Sequence, residues 1–181
     1  MLLKIEKFYK LLQDPLNSDV KLKFKWKNKK ISSIKKKKNS VKFVNKIPIL
    51  IDFSNSVLNK NIFKTLSTNN SLIGKKKFFL RKLKSYIFGT YFNSKKSFDL
   101  LESSLRKNST ILILGGGNIG TGLDKIYDNK QINIIATDIY PSNSIQFISD
   151  CHNIPLKNKS VDGVIIQAVL EHVLDPNQVV S

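Results

Sequence analysis

Residues 111–120 read ILILGGGNIG, four apolar residues running without a break into a glycine-rich turn of the form G-x-G-x-x-G. A short apolar run of this kind is a strand buried on both faces, as in a parallel sheet covered by helices. Gly115, Gly117 and Gly120 let the chain turn tightly after the strand and come close to a ligand, with the amides of a following helix facing it. Any glycine-rich turn from strand to helix shares that pattern, so the features on either side decide its meaning.

Downstream, residues 132–137 (INIIAT) form a second apolar run that ends in Asp138, 18 residues after Gly120. Nucleotide-binding folds place an acid there to accept hydrogen bonds from ribose hydroxyls. A nicotinamide dinucleotide and S-adenosyl-L-methionine both satisfy this much, since each lays a nucleoside over the first two strands. Two more apolar runs, Ile145 to Ile148 and Val161 to Ile166, complete four strands and predict an α/β fold with a Rossmann-like parallel sheet. Only six residues separate Asp138 from Ile145. A parallel crossover takes about a dozen or more, so either the helix between these strands is missing or the third strand is displaced.

The third and fourth strands carry a more specific signal. The strings SDCHNIPL (149–156), KSVDGVIIQ (159–167) and LEHVLDP (170–176) resemble the core of class I S-adenosylmethionine-dependent methyltransferases of the type 11 group, over roughly Ile111 to Pro176. The resemblance implies that Gly115, Gly117, Asn118 and Gly120 pass beneath the methionine part of S-adenosyl-L-methionine. Asp138 would hold the ribose hydroxyls and Ile139 would pack on the adenine face. Asp150 would accept from the adenine amino group with Cys151 beside it as a small packing residue, and Gln167 would offer its backbone to the methionine end. His152 reads as a turn histidine.

Glu171 and His172 are the weak catalytic candidates, able to assist deprotonation of an acceptor. They resemble a pair that quinone O-methyltransferases complete with a further Glu to hold a metal. That position is Ala168 here, so no metal is expected. Two departures bear on cofactor affinity: the usual acid two residues before the first glycine is Ile113, and Ile119 stands where the third glycine normally falls. Four strands against the seven of the family fold lead to the expectation of a fragment, the sheet being continued beyond Ser181 or completed by a partner chain.

Upstream the texture changes. Residues 1–110 hold 27 basic and 6 acidic side chains, whereas residues 111–181 hold 4 and 7, so the overall +18 belongs to the first half. Leu2 to Leu12 has helical spacing that stops at Asp14-Pro15. Val20 to Trp26 alternates strictly as a strand, Lys27 to Ser40 reads as a polar loop, and Val41 to Phe43 leads into the apolar run Ile47 to Ile51. Asp14 to Asn17 and Lys46 to Asp52 resemble the small Trm112 family without any of its metal-ligand cysteines. The expected organisation is a degenerate Trm112-like β domain over 1–54, a helical connector over 55–108 and the methyltransferase half over 109–181. Within the connector, Phe79 to Ile87 and Phe98 to Leu105 have helical spacing, the latter after a cap near Ser94.

Of the 31 basic residues, 29 are Lys, although Arg is the residue expected where bidentate phosphate recognition is selected. Nucleic acid, through Lys35 to Lys38 or Lys75 to Lys84, is therefore a possible partner but not the favoured one. Lys75 to Phe88 also suits peripheral contact with an anionic membrane. No window is apolar enough to span a bilayer, the N-terminus lacks a secretion signal, and the lone Cys151 excludes an internal disulfide, which fits a cytoplasmic location. The expected function is methyl transfer to a small-molecule, glycan or lipid-linked acceptor. The alternatives are an inactive or truncated methyltransferase-like binding protein and an RNA methyltransferase using the basic half.

Overall fold

The computed structural model describes residues 2–3, 5–19, 22–27, 30–36, 39–56, 58–61, 90–120 and 122–181. In chain order its strands are β1 (Leu22–Lys27), β2 (Lys30–Lys36), β3 (Asn39–Ser40), β4 (Phe43–Val44), β5 (Ile47–Pro48), β6 (Thr110–Leu114), β7 (Asn133–Asp138), β8 (Phe147–Ile148) and β9 (Gly163–Ile166). Helices span Ile5–Phe8, Thr90–Ser104, Asp124–Asp128 and Pro176–Val180, with single 3-10 turns at Tyr9–Leu11 and Leu170–His172. The expected helix over Phe79 to Ile87 lies outside the described residues. Ser94 falls inside the helix Thr90–Ser104.

The four downstream runs form a parallel sheet in the order β8-β7-β6-β9. Period-two alternation divides its side chains between two apolar clusters. Ile111, Ile113, Ile134, Ala136, Ile148 and Ile165 face one side, covered by Leu123 and Ile126 around the short helix and by Phe98, Leu101 and Leu105 from the long one. Leu112, Leu114, Ile135 and Phe147 face the other, where the cover comes from Leu3, Phe8, Leu12 and Leu50 of the N-terminal segment.

The short link between β7 and β8 leaves out one crossover helix. No helix forms between Asp138 and Phe147, yet β8 lies beside β7 with Thr137 opposite Phe147 and Asp138 opposite Ile148. The helix is therefore missing and the strand is not displaced. A right-handed crossover would have put that helix on the face of the Asp124–Asp128 helix, where Val44 and Ile51 of the N-terminal segment pack with Ile148 instead. On the opposite face the Phe8 ring stacks on Phe147 at 5.5 Å between centroids and 8° between planes, both side chains being fully buried.

Because β8 is so short, much of the β7 edge needs other partners. The Gln146 side-chain amide acts as a substitute peptide: its Oε1 accepts from Ala136 N–H at 2.6 Å and its Nε2 donates to the Ile134 carbonyl at 2.8 Å. Leu3 N–H donates to the same carbonyl at 2.7 Å. Leu50 N–H donates to the Ile148 carbonyl at 2.8 Å, covering the outer edge of β8. Leu12 bridges Leu156 in antiparallel fashion, flanked by Gln13 N–H to Pro155 O at 3.0 Å and Lys157 N–H to Leu11 O at 2.8 Å.

The upstream strands correct one expectation. Lys30–Lys36 is not a polar loop but pairs antiparallel with β1, placing Ile34 opposite Phe24 and Ile31 opposite Trp26 across a register shift after Lys25. Leu22 and Phe24 pack on the Phe8 cluster, and Lys23 and Lys25 are exposed. A two-residue turn at Asn45 and Lys46, both with positive φ, joins β4 and β5 as a tight hairpin. The expected Trm112-like domain over 1–54 finds no support here. Lacking metal-ligand cysteines, this segment lays its apolar residues on the parallel sheet.

Phe8→Ala is expected to cost about 3–5 kcal/mol of stability through the cavity it opens against Phe147. Gln146→Ala, which leaves the buried Ala136 N–H without its acceptor, is expected to cost about 1–3 kcal/mol. Urea denaturation of the two variants checks both.

Candidate functional site

Parallel pairing brings the carboxyl ends of β6, β7, β8 and β9 to one edge of the sheet, and the candidate residues follow those ends. Gly115 leaves β6 with φ +77°, a left-handed conformation that favours glycine. Gly116 N–H donates to the Thr137 carbonyl at 2.9 Å, and Gly117 N–H to Asp138 Oδ2 at 2.8 Å. A Cβ on Gly117 would lie 2.5 Å from that same Oδ2. The glycine turn and the strand-end acid predicted from their spacing are thus in direct contact.

Asp138 is held by two backbone donors, since Tyr140 N–H reaches Oδ1 at 3.1 Å. Each carboxylate oxygen keeps acceptor capacity after these bonds. On the other flank, Gln167 follows β9 and its side chain lies against Gly120, where an added Cβ would collide with the amide. Gln167 N–H makes a long contact of 3.5 Å with the Leu114 carbonyl, and its own carbonyl lies 2.9 Å from where a Cβ on Gly115 would sit.

Asn118 is exposed, Ile119 packs against the Ile113 cluster and Ile139 is half-buried beside Asp138. Ile113 itself is fully buried in the sheet. Glu171 and His172 stand exposed on the 3-10 turn after β9. The helix after the glycine turn starts later than the motif predicts. It covers Asp124–Asp128, so the loop does not lead straight into a helix N-terminus.

After β8 the chain buries Asp150 within a set of donors. Oδ1 accepts from His152 N–H at 3.0 Å and from His152 Nδ1 at 2.7 Å, while Oδ2 accepts from the Ser56 hydroxyl. Asp175 N–H approaches His152 Nε2 at 3.4 Å, which pairs with an Nδ1–H donating to the carboxylate. His152 is therefore more than a turn histidine: it links Asp150 to Asp175, the cap of the Pro176–Val180 helix. An Asp followed two residues later by a donor was a local signal for this bond. Ser56 gave none, being 94 residues away in sequence.

Burial alone would raise the Asp150 pKa, but the donors from Ser56 and His152 prevail and hold it below the usual carboxylate value. Burial pushes the neighbouring Cys151 thiol up, and the Asp150 charge adds to that. Among the described residues, Asp150, Cys151 and His152 each bring one metal-type donor atom within 4.8 Å of the others. Asp150 and His152 are already bonded to each other and the thiol is favoured in its protonated form, so the set works as a hydrogen-bonded cluster around the acid.

Because the folded carboxyl is more acidic than the unfolded one, Asp150 contributes stability that is fully present above the ordinary value of 3.8 and is lost as pH falls through the lower folded value. Asp150→Asn is expected to flatten the acid side of the stability profile, leaving a shallower fall below that pH. Denaturant titrations across the acid range measure it.

Residues 115–181 match the family described as a methyltransferase domain, of type 11. No curated protein and no solved structure matched the chain. The matched stretch contains the glycine turn, Asp138, the Asp150 cluster and Gln167, the residues that the parallel sheet gathers at one edge.

Proposed function

We propose that this chain binds S-adenosyl-L-methionine at the carboxyl edge of its parallel sheet and presents the methyl group to a nucleophilic oxygen, nitrogen or carbon of a small-molecule, glycan or lipid-linked acceptor. The contact between Gly117 and the Asp138 carboxylate, within the stretch that matches a methyltransferase domain, carries the reading.

The donor and acceptor set fits that cofactor. Asp138 offers free acceptor positions on both oxygens, which suits the two hydroxyls of a ribose. Asp150 offers a buried, ionised acceptor for an amino group.

When bound, S-adenosyl-L-methionine supplies an electrophilic methyl on sulfur, and the work left to the protein is orientation and exclusion of water. In this reading Gly115 and Gly117 let the turn run close beneath the ligand, Asp138 fixes the ribose and Ile139 covers the adenine. Gln167 lines the methionine end. Glu171 and His172, exposed beyond β9, are the groups available to take a proton from an acceptor.

The burial of Ile113 in the sheet core, where the resemblance to type 11 methyltransferases implies an acid, favours a second reading: a domain that binds the cofactor without turnover. Calorimetry with S-adenosyl-L-methionine and S-adenosylhomocysteine tests the first step of both. Binding is expected, and Asp138→Ala is expected to weaken it about 10- to 100-fold, the effect of removing a charged hydrogen-bond acceptor. No binding by the folded chain at about millimolar ligand, roughly the weakest affinity of interest, would overturn the proposal. Methyl transfer from a labelled cofactor into an acceptor mixture separates the enzyme from the inactive binder.

A further inference from the structure

We propose that Ser56 is a positioning residue for the nucleoside end of this site, so that the turn from Asp52 to Ser56 belongs to the pocket. The inference rests on the cofactor reading above and extends it to a residue far outside the stretch that matches a methyltransferase domain.

Ser56 is aimed by its surroundings. Leu50 is bonded to the β8 edge and Ile51 is buried beside Ile148, fixing the chain that enters the turn. The buried Asp52 carboxylate then organises the bend, accepting from Ser54 N–H at 2.9 Å, from the Ser54 hydroxyl and from Asn55 Nδ2 at 2.8 Å. Phe53 and Leu58 pack on the same apolar cluster, so the backbone is anchored on both sides of Ser56. Leu58 N–H donates to Ser56 Oγ at 3.1 Å. That bond occupies one acceptor position of the hydroxyl, whose single proton goes to Asp150 Oδ2.

A carboxylate has roughly four acceptor positions. Asp150 fills two on Oδ1 with His152 and one on Oδ2 with Ser56, which leaves one position on Oδ2. With donors on both oxygens the carboxylate cannot rotate freely, and the remaining position has a fixed direction. An exocyclic amino group is the donor it suits. A carbonyl at the same place, as in hypoxanthine, would meet an acceptor with an acceptor.

Substitution of the intact chain tests this. Ser56→Ala should raise the titration midpoint of the Asp150 carboxyl, followed by carbon NMR, because one donor to the ionised form is gone. Its affinity for S-adenosylhomocysteine should fall about 3- to 10-fold, and its preference over the deaminated, hypoxanthine-bearing counterpart should shrink. Ser56→Thr keeps the hydroxyl and should retain both properties.

A Ser56→Ala chain that loses affinity equally for the two ligands, with the Asp150 midpoint unmoved, would reduce Ser56 to a structural residue and overturn the inference. Unchanged affinity and preference would overturn it as well. Failure of the wild-type chain to bind either ligand removes the cofactor reading itself, which is a different result from wild-type binding that Ser56→Ala leaves intact.

Discussion

The stacking of Phe8 on Phe147 meets the constraint on which the rest of this molecule depends. A parallel sheet needs both faces covered, and the usual cover is the helix in each crossover. Between β7 and β8 there is no room for one. The N-terminal segment covers both faces instead: Val44 and Ile51 pack with Ile148 on the face where a right-handed crossover would have put that helix, and Phe8, Leu3, Leu12 and Leu50 cover the other. The β7 edge is finished by a glutamine amide and Leu3, and the β8 edge by Leu50. The N-terminal segment is thereby a structural part of the sheet.

That substitution has a chemical consequence. The chain that crosses the β8 edge at Leu50 continues into the Asp52 turn and brings Ser56 to the Asp150 carboxylate. The acid that the resemblance assigns to the nucleoside is consequently held by a residue from a different third of the protein. The glycine turn is more self-contained. Its contact with Asp138 involves only the first two strands of the parallel sheet, and steric closeness at Gly117 makes the absence of a side chain a requirement.

Ile113 and the lysine-rich strands show how sequence signals change meaning in three dimensions. Ile113 departs from the acid expected near a cofactor, and its burial in the sheet gives it a packing role in place of a polar one. The alternation in β1 puts Leu22 and Phe24 on the apolar cluster and leaves Lys23 and Lys25 in solvent. The same polar texture concealed β2, because two isoleucines at matching registers are a weaker signal than an uninterrupted apolar run. Among the described residues, no helix is long and apolar enough to cross a membrane.

The parallel strands, the glycine turn and the Asp138 partnership were legible in the sequence because each depends on local spacing: apolar runs for strands buried on both faces, glycines for a tight turn, and an acid at the end of the next strand. The resemblance that pointed to a methyltransferase domain lay in the same contiguous stretch. What covers the second face of the sheet, how the β7 edge is satisfied, and which donors hold Asp150 were decided only by the tertiary structure. Phe8 and Phe147, or Ser56 and Asp150, are separated by most of the chain, and no periodicity links them. Their pairing follows from a shortage of local partners, an uncovered apolar face in one case and a buried carboxylate in the other, which the folded chain meets with whatever residues the topology brings near.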